Sequence, residues 1–287
     1  RRLVADGARG VLADREDQSS LADELRAAGG EVTACQVDVT KADQVEALVR
    51  DAQVAYGRID GFVNCAGIVV SKFLEDTSEE DWDRQLGVNL KGVFLCCRAI
   101  IPVMREGGGG TIVNIGSDLG VVGGPMTPAY CASKGGVLQL TRALAVDHAV
   151  DGIRVNCVCP GPVETPLLRE VDVTVPDPAV ERERVIASTL LKRVGEPEEI
   201  AGVIRFMLSD DASTPSVIGK QVAVMPNSRR IGKATIAVSS QPLSKCSATT
   251  FSWSVAPSVS QSTTCVVDTT SQSSSAIYCI WRRNSAS

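Results

Sequence analysis

One pattern recurs through the first 226 residues: a short, mostly apolar run, then a stretch with helical spacing, then another apolar run. The runs are GVLAD (10–14), EVTACQVDV (31–39), GFVN (61–64), TIVNI (111–115), IRVNCVC (153–159) and QVAVM (221–225). Strands this apolar need cover on both faces, and a helix crossing over between successive strands supplies it. The pattern predicts an α/β domain with a doubly wound parallel sheet.

The helices between the runs are marked at their ends. Residues 20–30 form a helix closed by Gly29 and Gly30, and Thr40 is the expected N-cap of a helix over 41–56 that Gly57 stops. Residues 79–104 read as one long helix, followed by helices over about 128–150 and over 197–208. The glycine run 107–110 precedes a strand and opens no helix, so it reads as a loop.

Composition excludes several classes of function. The formal charge is -5 with one histidine, His148, so no basic field exists to hold nucleic acid or an anionic membrane, and two-imidazole sites are ruled out. His148 falls near a helix end, where the helix dipole accounts for it. Cys35, Cys65, Cys96, Cys97, Cys131, Cys157 and Cys159 show no metal-ligand spacing and read as reduced, buried small hydrophobes. No metal is expected. The amino end lacks the apolar core of a secretory signal, so the expected compartment is the cytoplasm.

The character of the chain changes near residue 226. Residues 227–287 hold 23 Ser or Thr and one acidic residue, Asp268; they carry +5, leaving -10 on residues 1–226. The expected division is a domain over 1–226 and a low-complexity tail over 227–287, either disordered or frameshift- or intron-derived.

In an open parallel sheet, ligands bind beyond the carboxyl ends of the strands. Those ends carry Asp14, Asp38, Asn64 to Gly67, Ser117 and Pro160-Gly161. Tyr130 and Lys134 share a helix face at i and i+4, so the ammonium is expected to lower the phenol pKa toward neutrality. That makes a proton donor and acceptor without histidine. Ser117 is placed to hold a carbonyl, with Asn89 in the preceding crossover helix.

Together NCAG (64–67), GVNLKGVF (87–94), IVNIGS (112–117), YCASK (130–134) and NCVCPGPVET (156–165) resemble the short-chain dehydrogenase/reductase family over about residues 3–226. The resemblance implies a Rossmann-like fold and hydride transfer between a nicotinamide cofactor and a secondary alcohol or ketone. Tyr130 would be the general acid/base, Lys134 would bind the nicotinamide ribose, Ser117 would orient the substrate oxygen, and Asn89 would support a proton relay through water. Asp14 would accept from the adenosine ribose hydroxyls and repel a 2′-phosphate, favouring NAD over NADP, with Arg15 weakening that preference. Asp38 and Val39 match the adenine pair. Asn64, Ala66 and Gly67 match the segment under the adenosine, and Pro160, Gly161, Val163 and Thr165 match the nicotinamide and pyrophosphate loop. The family implies a homo-oligomer, a tetramer or dimer, and no nucleic-acid or membrane partner. Substrate choice falls to the loop after Thr165, where Leu167 and Leu168 suggest an apolar wall.

Two features depart from the family. Its opening strand and glycine-rich turn are not seen here, so the chain reads as a fragment beginning one βα unit late. That strand lies at the centre of the family sheet, and its loss would leave two internal edges with unpaired backbone groups, each costing about 1–3 kcal/mol when buried. ATIAV (234–238) or AIYCIW (276–281) is a candidate to fill the position. The competing functional reading is a non-catalytic scaffold or inactive fragment that has lost the cofactor phosphate loop.

Overall fold

A computed structural model describes residues 1–169, 177–213, 222–224 and 278–282. The strands are β1 (Arg9–Asp14), β2 (Val32–Gln36), β3 (Gly61–Asn64), β4 (Gly110–Ile115), β5 (Ile153–Cys159), β6 (Val222–Val224) and β7 (Tyr278–Arg282). They form one sheet in the order β2-β1-β7-β3-β4-β5-β6. Every pairing is parallel except the two made by β7, which runs antiparallel to both neighbours.

The helices are α1 (Arg2–Ala5), α2 (Ser19–Ala27), α3 (Ala42–Tyr56), α4 (Glu79–Leu86), α5 (Gly92–Glu106), α6 (Pro128–Asp147), α7 (Pro178–Ser188) and α8 (Pro197–Leu208). Their starts follow local chemistry. Ser78 accepts the Asp81 N–H at 3.1 Å at the head of α4, and a reciprocal Glu196/Glu199 box precedes Pro197 in α8. Thr40 does not cap α3, contrary to expectation. Lys41 holds that position, while the Thr40 N–H and hydroxyl bond to Asp38 Oδ1 at 2.9 and 2.7 Å in a tight Asx turn.

Alternating strand residues divide between two helical layers. On one face Phe62, Ile112, Val155 and Cys157 pack against Val45, Leu48 and Val49 of α3, Cys96 and Ile100 of α5, and Val137 of α6. On the other, Val63, Val113 and Val158 meet Met207 and Leu208 of α8, while Leu12 and Val32 meet Ala22 and Leu25 of α2. The run Glu79–Glu106 is apolar and long enough by composition to cross a bilayer, but Leu95, Cys96, Ile100 and Met104 are buried in this core.

That run is not the single α-helix its periodicity predicts. Residues Gly87–Lys91 form a π-helical turn between α4 and α5, with Asn89 wholly buried in it. His148 ends α6 and, with Arg105, pairs with Asp151 at 2.9 Å, in keeping with a helix-end role. α7, absent from the sequence-based expectation, is capped by Asp177.

The vacant central position is filled from the carboxyl-terminal tail. Gly10, Val11, Leu12 and Ala13 lie opposite Trp281, Ile280, Cys279 and Tyr278, and Gly61, Phe62 and Val63 lie opposite Trp281, Ile280 and Cys279. Within the tail, residues 278–282 are thus an ordered strand of the sheet. The mainly AIYCIW segment supplies them, and ATIAV lies outside the described residues. The inner edges of β1 and β3 thus have a partner, which removes the orphaned backbone groups that an empty slot would create.

Ile280 sits between Val11 and Phe62, so Ile280→Pro deletes a ladder donor at the middle of the sheet. The expected cost is on the order of 3 kcal/mol, lowering the thermal midpoint by roughly 6–12 °C for a domain of this size. An unchanged midpoint in a calorimetric scan would contradict the pairing.

Candidate active site

The exits of β3, β4 and β5 converge at one end of the sheet, with the head of α6 facing them. Backbone bonds fix the exits to one another. The Gly116 N–H donates to the Val158 carbonyl at 2.8 Å, and the Asp118 N–H donates to the Pro160 carbonyl at 2.9 Å. Ser117 lies between these bonds, buried, with its hydroxyl donating to Asp118 Oδ1 at 3.1 Å and accepting the Leu119 N–H at 3.2 Å.

Tyr130 and Lys134 occupy consecutive turns of α6. The buried Lys134 ammonium donates to the Ile115 carbonyl at 2.8 Å and lies 5.7 Å from the centroid of the Tyr130 ring. The phenol lies within reach of the Ser117 hydroxyl. The expectation of an acidified tyrosine is not met in the free chain. Burial pushes the phenol up to about 12, the Ser117 bond opposes that rise, and the Asp118 charge adds to it. Burial also pushes the Lys134 ammonium down, against the pull of the Cys65, Cys157 and Cys159 thiols. The i, i+4 spacing brings the two groups together, but loss of water around the phenol decides its pKa.

Asn89 ties this region together. Its Oδ1 accepts the Ile68 N–H at 2.8 Å, and its Nδ2 donates to the Ile68 carbonyl at 2.9 Å and to Ser133 Oγ at 3.1 Å. The β3 exit, the π turn and α6 are thereby joined through one side chain. Functional sites often use such turns because the wider coil turns a side chain inward. Gly67 completes the arrangement: a Cβ placed there would lie 3.5 Å from Lys134 Nζ and 3.6 Å from Asn89 Oδ1. Its missing side chain leaves a small space facing both groups.

Asn64 is joined at the strand exits by buried polar residues that the sequence reading did not single out: Asn114, Thr141 and Gln85. Asn64 Nδ2 donates to Asn114 Oδ1 at 2.7 Å, and Asn114 Nδ2 donates to Thr141 Oγ1 at 2.9 Å. Gln85 is also buried, with its Oε1 accepting the Val70 N–H at 2.9 Å. A polar residue within an apolar run, such as Asn114 in TIVNI, is the signal that marks such a bridge. Ala66 is buried beside Gly67. Pro160 and Gly161 continue from β5, Thr165 Oγ1 donates to the Val163 carbonyl at 3.3 Å, and Val163 makes a parallel bridge to Gly195. Residues 170–176 of the loop expected to govern substrate choice lie outside the described residues.

A second group of predicted residues lies across the sheet. Asp14, 2 % exposed at the end of β1, accepts the Glu16 N–H through Oδ1 at 3.0 Å. Beside it Arg15, Gln36, Asp38 and Gln44 line a cleft of about 340 Å³. The Asp38 N–H donates to Gln44 Oε1 at 2.8 Å, and Val39 is buried below. Among the described residues no cluster of three or more His, Cys, Asp or Glu side chains is placed to hold a metal ion.

Two groups of polar residues thus stand at one end of a doubly wound α/β sheet. Residues 1–224 match a family model described as enoyl-(acyl carrier protein) reductase. The chain is 39% identical over 221 residues to 3-oxoacyl-(acyl-carrier-protein) reductase FabG of Thermotoga maritima, covering 76% of this chain and 87% of that protein. It is 38% identical over 213 residues to cyclopentanol dehydrogenase of Comamonas sp., covering 74% and 84%. The crystal structure of levodione reductase superposes with a TM-score of 0.73 at 36% identity, over 78% of this chain and 89% of that one. The chain belongs to the short-chain dehydrogenase/reductase family and is an oxidoreductase acting on CH–OH or keto groups.

Membership implies a nicotinamide cofactor, NAD or NADP. The two ends of such a dinucleotide have fitting residues: the carboxylate and cleft at β1 and β2 suit an adenosine, and the Lys134 ammonium and Ser117 hydroxyl offer donors for the other end. Between them, the described residues contain no glycine-rich turn that opens a helix, and β7 runs into the sheet from that end.

Alkaline titration of the free chain, followed by tyrosinate absorbance, is expected to show a phenol near 12 that Tyr130→Phe removes. Because that value exceeds the ordinary value of about 10, burial of the neutral phenol contributes stability that is full below pH ~10 and lost as the pH rises through the folded value. A Tyr130 phenol titrating at or below the ordinary value would contradict the assignment of burial as the dominant effect.

Proposed function

We propose that the chain is an NAD-dependent dehydrogenase of secondary alcohols, or reductase of the corresponding ketones, in which Ser117, Tyr130, Lys134 and Asn89 act together. The observation that carries this reading is the convergence of the phenol, the serine hydroxyl and the ammonium at the β4 exit, with a small space beside them. The bound nicotinamide ring would supply the hydride donor or acceptor, and in its oxidised form a positive charge.

In ketone reduction the Tyr130 O–H donates its proton to the carbonyl oxygen as negative charge develops there, and in alcohol oxidation the phenolate takes the hydroxyl proton. The Ser117 hydroxyl turns from Asp118 to the same oxygen and fixes it beside the phenol. Enclosure favours the neutral phenol in the empty site, so a nearby cation is what brings its pKa toward the working range. Lys134 supplies one such charge and a donor for a ribose hydroxyl. Asn89 holds Ile68 in place and faces the space at Gly67, where a water would stand between it and Lys134 and return the proton to solvent.

Asp14 would accept from ribose hydroxyls, and its charge in a buried setting disfavours a 2′-phosphate. This supports NAD, with Arg15 the opposing influence. Asp38 and Val39 would flank the adenine; Asn64, Ala66 and Gly67 would pass beneath the adenosine; Pro160, Gly161, Val163 and Thr165 would hold the nicotinamide amide and pyrophosphate. Leu167 and Leu168 favour a substrate with an apolar flank, in line with the ring-containing compounds named for two of the relatives. The described thiols are free, which suits a reducing cytoplasm. The exposed Phe94 on α5, with Arg98 stacked 5.5 Å from its centroid, supports a homodimer or tetramer assembled through the α5 and α6 faces.

A panel of secondary alcohols assayed with NAD tests the reading. Tyr130→Phe is expected to lose about 10²–10⁴-fold in turnover while binding NADH within a few-fold of the parent. No NADH binding and no turnover in the parent would favour the scaffold alternative. Asp14→Ala is expected to shift the NAD to NADP ratio of kcat/KM by about tenfold or more toward NADP, a difference of about 1.4 kcal/mol. An unchanged ratio would remove Asp14 from cofactor choice.

A further inference from the structure

Cys157 and Cys159 alternate with Val158 along β5, so both side chains fall on the same face of the sheet. Their sulfurs are 3.7 Å apart, and both residues are wholly buried. Gly116 lies directly over the pair: a Cβ there would come within 2.8 Å of Cys157 Sγ and 2.9 Å of Cys159 Sγ. The thiols therefore form a close, self-contained pair beneath the residue preceding Ser117, with the Lys134 ammonium near both. The proposed proton chemistry uses neither of them.

We propose that Cys157 and Cys159 are an oxidisable dithiol, converted by a small peroxide to an intrastrand disulfide that deforms the Ser117 loop. The Cys157 thiolate attacks one peroxide oxygen, the O–O bond breaks, and water and a Cys157 sulfenic acid form. Cys159 sulfur then attacks that sulfur and displaces the oxygen as a second water, the two thiol protons having gone to the waters. The peroxide is reduced and the two thiols are oxidised.

The environment favours Cys157 as the attacking group. The hydrogen bond that the two thiols share favours the Cys157 thiolate, as do the Lys134 charge and the Gly116 N–H, against burial. Cys159 is held in its protonated form by the same bond and by burial. A peroxide is about as small as a pair of waters, and β5 ends at Cys159, one residue before the chain turns out at Pro160. For a peroxide to reach the enclosed sulfurs, this end of β5 must open.

Closure has a structural consequence because a disulfide brings its sulfurs to about 2.05 Å and its Cα atoms to about 4.4–6.8 Å. Residues two apart in an extended strand stand about 6.6 Å apart, at the long end of that range, and drawing the sulfurs together from 3.7 Å to bonding distance favours a buckle at Val158. The Val158 and Pro160 carbonyls accept the Gly116 and Asp118 N–H groups at 2.8 and 2.9 Å, on either side of Ser117. A buckle between them shifts the serine relative to Tyr130. Only this effect on turnover rests on the dehydrogenase reading; the disulfide does not.

Trypsin cleaves the chain after Arg154 and Arg169, releasing one peptide that holds both cysteines and no other. Without peroxide, that peptide is expected to take two iodoacetamide labels after denaturation. After hydrogen peroxide it should take none and weigh less by two hydrogens, with turnover falling in parallel and dithiothreitol restoring both. In Cys159→Ser, peroxide should give a Cys157 sulfenic acid trapped by dimedone and no cross-link. A peptide that still takes both labels when the more exposed Cys65 and Cys131 have already been oxidised would overturn the dithiol. A cross-link that leaves turnover unchanged would overturn its effect on the site. If the untreated chain has no turnover, the dehydrogenase reading fails, while the peptide mass still decides whether the bond forms.

Discussion

The pairing of β7 with both β1 and β3 is the constraint on which the rest of the structure depends. β1 and β2 carry Asp14 and the cleft at Arg15, Gln36, Asp38 and Gln44, whereas β3, β4 and β5 carry the exits around Ser117 and Tyr130. Among the described strands, no other joins the two halves of the sheet. At the usual spacing of about 4.8 Å between neighbours, β7 holds β1 about 14 Å from β4. Without it two inner edges would face each other unpaired, and only the packing of α3 and α5 across the shared core would relate the two groups of residues.

Within the second half, the site is set by backbone bonds and buried amides more than by the groups that would do chemistry. Asn89 reaches its position because the helix widens into a π turn there, and its bonds to Ile68 and Ser133 fix the β3 exit against α6. The Asn64–Asn114–Thr141 chain does the same lower in the sheet. These groups sit in a poorly polarisable interior where unpaired polar atoms are costly, so each bond also restricts its neighbours. The same interior opposes ionisation of Tyr130, so the site is balanced toward the neutral phenol until charge enters it.

Much of this was legible in the sequence. Apolar runs separated by helical spacing give the parallel strands, and GVNLKGVF, IVNIGS and YCASK mark Asn89, Ser117, Tyr130 and Lys134, which the structure brings to one end of the sheet. The π turn was not legible, because an inserted residue leaves the apolar spacing of 79–104 close to that of an ordinary helix. Nor was the pKa of Tyr130, since spacing reveals a neighbouring charge but not how much water remains. AIYCIW can be read as a strand, but its direction depends on edges made by residues far away in the chain. Cys157 and Cys159 look like core residues in sequence; only the 3.7 Å separation of their sulfurs shows that they form a pair.

Amide hydrogen exchange measured strand by strand is the most direct measurement of this arrangement. If β7 closes the sheet, the amides of Val11, Ala13 and Val63 exchange as slowly as those of Ile112 and Val113 in β4, because all belong to one cooperative unit. Rapid exchange along the facing edges of β1 and β3, with β4 and β5 still protected, would mean that the two halves are not joined and that no continuous surface connects Asp14 with Tyr130.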